Sequence, residues 1–140
     1  MHVALVSPER ILWEGEASMV ILRTAAGDIA FLNDHAPLVG ALQTGKVRIT
    51  PVDGSSGSSG SSGSGEIVAA VHGGFVEVKS NRVTILSDVA ELAEDIDVAR
   101  AREALARVGS SSTASSDDSP ELAAARRRAE VRLEAAGAPV

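Results

Sequence analysis

The sequence predicts an α+β protein: an N-terminal antiparallel β-sandwich of about ten strands, followed by a C-terminal two-helix hairpin. Three observations carry that prediction. As far as residue 86 the chain is a series of short, β-branched-rich apolar segments separated by turn formers, the pattern of sandwiches and barrels. From Val98 the period changes, with Val98, Ala101, Leu105 and Val108 at helical spacing. Between the two lies a charge step: five carboxylates and no base from Asp88 to Asp97, then three arginines and one carboxylate from Val98 to Val108.

The strands follow in order. His2–Val6 is short and apolar, and Ser7-Pro8-Glu9-Arg10 is a turn in which Pro fixes φ. Residues 11–14 return as a strand that Gly15 punctuates, and residues 17–24 form the next around the apolar run 19–22. A turn at 25–28 leads into a strand at 29–32, then a loop at 33–37. Segments 38–42 and 46–52 flank Gln43-Thr44-Gly45 and read as a hairpin. Residues 54–65 are all Gly and Ser, too polar to offset their ordering entropy, and are expected to be a flexible hairpin tip. Residues 67–71 are apolar, Gly73-Gly74 permits a bend, and Ser80-Asn81 turns 75–78 back into 83–86. The expected core is Val3, Leu5, Val20, Leu22, Phe31, Leu38, Val47, Ile49, Val68, Phe75, Val83 and Ile85. This domain is assigned residues 1–89.

Residues 90–137 form the second unit. Its first helix is expected to end at the polar segment 109–119. Ser119-Pro120-Glu121 supplies an N-cap, a Pro at the first helical position and an acid in the first turn. Leu122, Ala125, Ala129, Leu133 and Ala136 form a thin apolar stripe, closed by Gly137. Two Ala-rich helices on a polar tether can dock, undock and dock elsewhere.

Composition narrows the function. One Trp, two Phe and no Tyr leave little to stack on bases, and a net charge of −6 disfavours polyanion binding, so no nucleic-acid partner is expected. Without Cys there is no thiolate nucleophile or thiolate metal site. The three histidines lack metal-ligand spacing, and no serine sits in a nucleophile-elbow pattern. No catalytic residue, metal site or required cofactor is expected. No apolar run approaches the ~20 residues of a membrane span, so membrane association is expected only through a partner.

Three stretches resemble one family. These are Gly27-Asp28 through His35-Ala36-Pro37-Leu38; Gly73-Gly74-Phe75-Val76-Glu77-Val78, with Val83-Thr84-Ile85-Leu86 and Asp88-Val89-Ala90-Glu91; and Ile96-Asp97-Val98-Ala99-Arg100-Ala101. In order and spacing they are similar to the epsilon subunit of the F-type ATP synthase, called delta in mitochondria. The resemblance implies a ten-stranded sandwich with a helical hairpin. It implies a non-catalytic place in the central rotor stalk, between the gamma subunit and the c-ring, at the cytoplasmic face of the cell membrane. Asp28, His35 and Pro37 would then lie on a loop facing the c-ring. In some members the Ile-Asp-x-x-Arg-Ala element helps to bind ATP as a regulatory ligand. Its positions here are Ile96, Asp97, Arg100 and Ala101, joined by Glu91 and, from the second helix, Arg126.

The functional expectation is a rotor-stalk subunit whose helices, extended along gamma, reach the alpha/beta catalytic hexamer and restrain ATP hydrolysis. Bound ATP would bias them towards the folded position. The alternative is a free-standing sandwich that binds a nucleotide or sugar. For the charges near the seam a plainer reading also stands: Asp97 and its neighbours cap a helix, and the arginines of the second helix form a solvated face.

Overall fold

A computed structural model describes residues 1–52, 65–111 and 120–138, with side chains 109–111 left out. The flexible tip expected at 54–65 lies outside the described residues except for Gly65, as does the Ser119 cap. Among the described residues there are nine strands: β1 (His2–Val6), β2 (Ile11–Thr24), β3 (Gly27–Leu32), β4 (Leu38–Ala41), β5 (Gly45–Pro51), β6 (Ile67–Val71), β7 (Phe75–Lys79), β8 (Arg82–Leu86) and β9 (Ala90–Leu92). A 3-10 turn (Ala93–Asp95) leads to helix α1 (Val98–Ser111), and helix α2 is Pro120–Ala135.

β2 organises both layers. Its N-terminal half pairs with β1 and its C-terminal half with β3 and β5, with a register shift between Ala17 and Met19. The two expected strands are thus one 14-residue strand. Gly15 lies inside it and does not break it, and the irregularity that lets β2 change layers sits just beyond. One sheet runs β4-β7-β8-β1-β2, the other β3-β2-β5-β6-β9. Counting β2 in each gives five strands per layer. The β1–β8 pair is parallel and the others are antiparallel.

β4 does not form a hairpin with β5: it pairs with β7 in the opposite sheet, while β5 pairs with β2 and β6. Gly45 and its neighbours therefore carry the chain between layers. Gly73 and Gly74 make a second crossing, from β6 to β7. Gly74 has φ +119°, and a Cβ there would overlap the Leu86 carbonyl oxygen, so only glycine fits. The Ser80-Asn81 turn is as expected, both residues taking positive φ.

The core between the sheets contains Val3, Leu5, Val20, Leu22, Phe31, Val47, Ile49, Val83 and Ile85, with Leu38 packed at its margin. Phe75 is not part of it and is 60% exposed. In β7 it is Val76 and Val78 that point inward, and a one-residue change of phase moves every side chain to the other face. Trp13, Leu12 and Val71 are also buried.

The helices lie against the β5–β6 sheet and form a separate, smaller cluster. Val131 and Ala135 of α2 pack with Ala70 and Ile96, flanked by Val68 and Ala136. α2 is therefore apolar on more than the thin stripe expected, since Ala129 and Leu133 are buried as well. Gly137 ends it at φ +74°, with Gly137 N–H donating to the Glu134 carbonyl and Ala138 N–H to that of Leu133, a Schellman closure. α1 continues through Gly109 to Ser111, past its expected end. The sheet likewise extends past the domain boundary placed at residue 89, because β9 pairs with β6.

Candidate functional site

The seam at residues 90–102 becomes strand, turn and helix in quick succession, and this places its charges around one cavity. β9 fixes Glu91, the 3-10 turn fixes Asp95, and Asp97 stands immediately before α1. Asp97 is the helix N-cap: its Oδ1 accepts the Arg100 backbone N–H at 3.0 Å. The plain capping reading is therefore right for this carboxylate. Along α1, Arg100, Ala101, Ala104, Arg107 and Val108 share one stripe, and with Glu91, Asp95, Asp97 and Arg132 they line a cavity of about 530 Å³. Two small alanines leave the space, and arginines from both helices border it.

Of the expected ligand-binding residues, Glu91, Asp97, Arg100 and Ala101 meet at this cavity. Ile96 is next to it but buried in the helix-docking cluster, where it anchors the turn. Arg126 is exposed and does not line the cavity. Its place is taken by Arg132, whose Nε donates to Glu91 Oε1 at 2.7 Å. Six residues of helix turn a side chain by about 120° relative to its start, so only one of these two arginines can face α1.

Behind Glu91 lies a residue that sequence reasoning passed over. His72 follows β6, and its side chain is 3% exposed with Nε2 3.7 Å from Glu91 Oε1. Neither ring nitrogen has a hydrogen-bond partner among the described residues. Burial pushes the imidazole down to about 4, Arg132 and Arg128 add to that, and Glu91 opposes it. Its position after an apolar strand and before two glycines was the only available signal.

The three residues expected on one loop are not together. Asp28 opens β3, where Arg23 Nε donates to its Oδ1 at 2.9 Å and holds the carboxyl below its usual range. It borders a second, smaller cavity with Arg48, Arg127 and Glu134, on the α2 side of the sandwich. His35 lies beyond the other end of β3, its ring edge-on to Phe31 with centroids 4.9 Å apart. Pro37 lines a shallow groove with Val39 and Lys79. The loop between β3 and β4 is tied to the N-terminus, since Asn33 Oδ1 accepts from the Met1 ammonium at 2.6 Å.

The outer face of the other sheet carries an apolar row. Cross-strand register places Ala41, Phe75, Leu86, Val6 and Ile11 side by side across all five strands. Phe75, Leu86 and Ile11 are exposed, and Val39 beside them is 71% exposed. Among the described residues no group of His, Asp and Glu could hold a metal ion, and no helix is long and apolar enough to cross a membrane.

Residues 1–93 match the family described as ATP synthase, delta/epsilon chain, beta-sandwich domain. The chain is 42% identical over 136 residues to the ATP synthase epsilon chain of Streptomyces coelicolor, covering 97% of this chain and 94% of that one. It is 49% identical over 106 residues to the epsilon chain of Thermobifida fusca, covering 75% and 72%. Among solved structures it resembles a chain of the Euglena gracilis mitochondrial ATP synthase, OSCP/F1/c-ring (TM-score 0.63, 21% identity, 96% of this chain and 76% of that one). It also resembles one from the Tetrahymena thermophila mitochondrial ATP synthase central stalk and c-ring (TM-score 0.57, 16% identity, 97% and 96%).

Proposed function

The chain belongs to the ATP synthase epsilon-chain family, whose members are non-catalytic subunits of that enzyme, and on this premise we propose that it couples the c-ring to gamma and restrains ATP hydrolysis through its C-terminal helices. The observation that carries the restraint is the separation of two cores. The sandwich is closed by its own large cluster, while the hairpin is held by a small one of Val131, Ala135, Ala70 and Ile96. Releasing the helices exposes little apolar surface and leaves the sandwich whole, so docked and extended positions lie close in free energy.

The apolar row on the free sheet is the gamma-facing surface in this reading, since an exposed row of this size on an otherwise charged face suits a partner. The β3–β4 loop, with His35 and Pro37, takes the c-ring contact. Asp28, paired with Arg23 on the helix side, is assigned to the α2 contact instead. The subunit is peripheral at the cytoplasmic face and reaches the membrane only through its partners. Extended helices would reach the alpha/beta hexamer with the basic surface of α2. The family matches favour this subunit reading over a free-standing nucleotide or sugar module.

ATP fits the 530 Å³ cavity as a regulatory ligand. Arg100 and Arg132 supply guanidinium forks for phosphate oxygens, Asp97 and Glu91 supply acceptors, and Ala101 with Ala104 leaves the room. Both helices contribute to the cavity, so a ligand there binds the docked state alone and shifts the equilibrium by its affinity for that state. Full reversal from 1:99 to 99:1 takes about 5.5 kcal/mol.

The test is reconstitution of gamma and the catalytic hexamer with either the full chain or a chain ending at Asp95. Both should assemble, and the shortened chain should give severalfold faster ATP hydrolysis. Equal hydrolysis rates would remove the restraint from the account. Failure of the shortened chain to assemble would remove the sandwich as the anchoring domain.

A further inference from the structure

The buried imidazole of His72 has a place in the docking of the helices. It sits at the end of β6, the strand on which Val131 and Ala135 of α2 pack. Three charged groups face it: Glu91 from β9, and Arg128 and Arg132 from α2. Glu91 Oε1 lies 3.7 Å from Nε2, too far for a hydrogen bond, and that oxygen already accepts from Arg132 at 2.7 Å. With the helices docked, the ring has no acceptor for an added proton and two guanidiniums opposing its charge. With α2 gone, both guanidiniums leave, Glu91 loses its arginine, and the ring gains water.

We propose that His72 is a pH-sensitive latch of the helical hairpin, its protonation on acidification releasing α2 from the sandwich. The sign follows from linkage. In the docked state the group titrates at about 4, against an ordinary value near 6.5 when exposed. Between these values the docked state binds fewer protons, so docking is strongest above pH 6.5 and weakens as pH falls towards 4. Going from pH 7.5 to 5.5, the docking equilibrium shifts about tenfold towards the released state. This inference rests on the dockable hairpin proposed above, and it makes acidification a signal that engages the restraint.

Amide hydrogen exchange and imidazole NMR on the full chain test it. Exchange of α2 amides, corrected for the intrinsic pH dependence and referred to the β1–β8 sandwich, should rise about tenfold between pH 7.5 and 5.5. It should stay flat in His72→Gln, whose side chain does not titrate. The His72 ring should titrate with a midpoint below about 5.5, between its docked and exposed values. A midpoint near 6.5 overturns the latch, a result that does not depend on the variant folding. Equal pH dependence in His72→Gln, or separate opening of α2 with none, also overturns the latch but leaves the dockable hairpin intact. If α2 amides exchange only with the whole sandwich at every pH, both readings fall together.

Discussion

Val131→Ala should release the hairpin while leaving the sandwich folded. Val131 is fully buried and is the largest side chain α2 places in the small cluster with Ala70, Ile96 and Ala135. The change removes two carbons, about 1.6 kcal/mol at roughly 0.8 kcal/mol per buried group. A residual cavity of about 40 Å³ adds about 1 kcal/mol at roughly 24 cal/mol per Å³. The sum, about 2.5 kcal/mol, moves the docking equilibrium by between one and two orders of magnitude. None of it falls on the sandwich core, to which Val131 does not belong. Amide exchange reads both parts of the statement in one experiment: α2 should lose roughly thirtyfold or more in protection, while β1, β2 and β8 keep theirs. In the assembled enzyme the same variant should slow ATP hydrolysis, because more of the chain is extended. Protection of α2 within about threefold of the unmutated chain, or loss of helix and sandwich protection together, would refute two separable cores.

Other outcomes follow from single contacts. Gly74→Ala meets the Leu86 carbonyl and should destabilise the sandwich by about 3 kcal/mol or more, lowering the melting temperature by about 10 °C; an unchanged melting curve would contradict this placement of the crossing. Phe75→Ser, on the exposed row, should alter stability by less than about 1 kcal/mol yet weaken gamma binding at least about tenfold by titration calorimetry. Arg132→Gln should lower ATP affinity by about tenfold, and Arg126→Gln by less than about twofold, in the same kind of titration; the reverse order would restore Arg126 to the site.

Much of this was legible in residue pattern. Strand existence, the helical period after Val98, the Ser80-Asn81 turn and the Gly137 stop all have local causes, and local causes are written in short stretches of chain. Pairing partners are not local. Nothing within residues 38–52 distinguishes a β4–β5 hairpin from two strands that cross between layers, because both require only a turn and a glycine. The phase of β7 is legible: Glu77 cannot face a core, so Phe75, two residues before it, must face outward with it. The candidate site was half legible. Glu91, Asp97, Arg100 and Ala101 are fixed by one continuous stretch, whereas the α2 arginine depends on a helix register set beyond residues 112–119. His72 carries no motif, and its meaning comes from α2 packing on β6, a contact between segments some sixty residues apart.

The two-position hairpin is tested most directly by distance. The chain has no cysteine, so Ala26→Cys and Ala124→Cys would give a single pair of spin-label sites, one in the exposed turn between β2 and β3 and one on exposed α2. Pulsed dipolar spectroscopy on the assembled enzyme should show two distances, the shorter gaining population when ATP is added and the longer when it is removed. A single short distance, unchanged by nucleotide, would mean that the helices never leave the sandwich and would contradict the account.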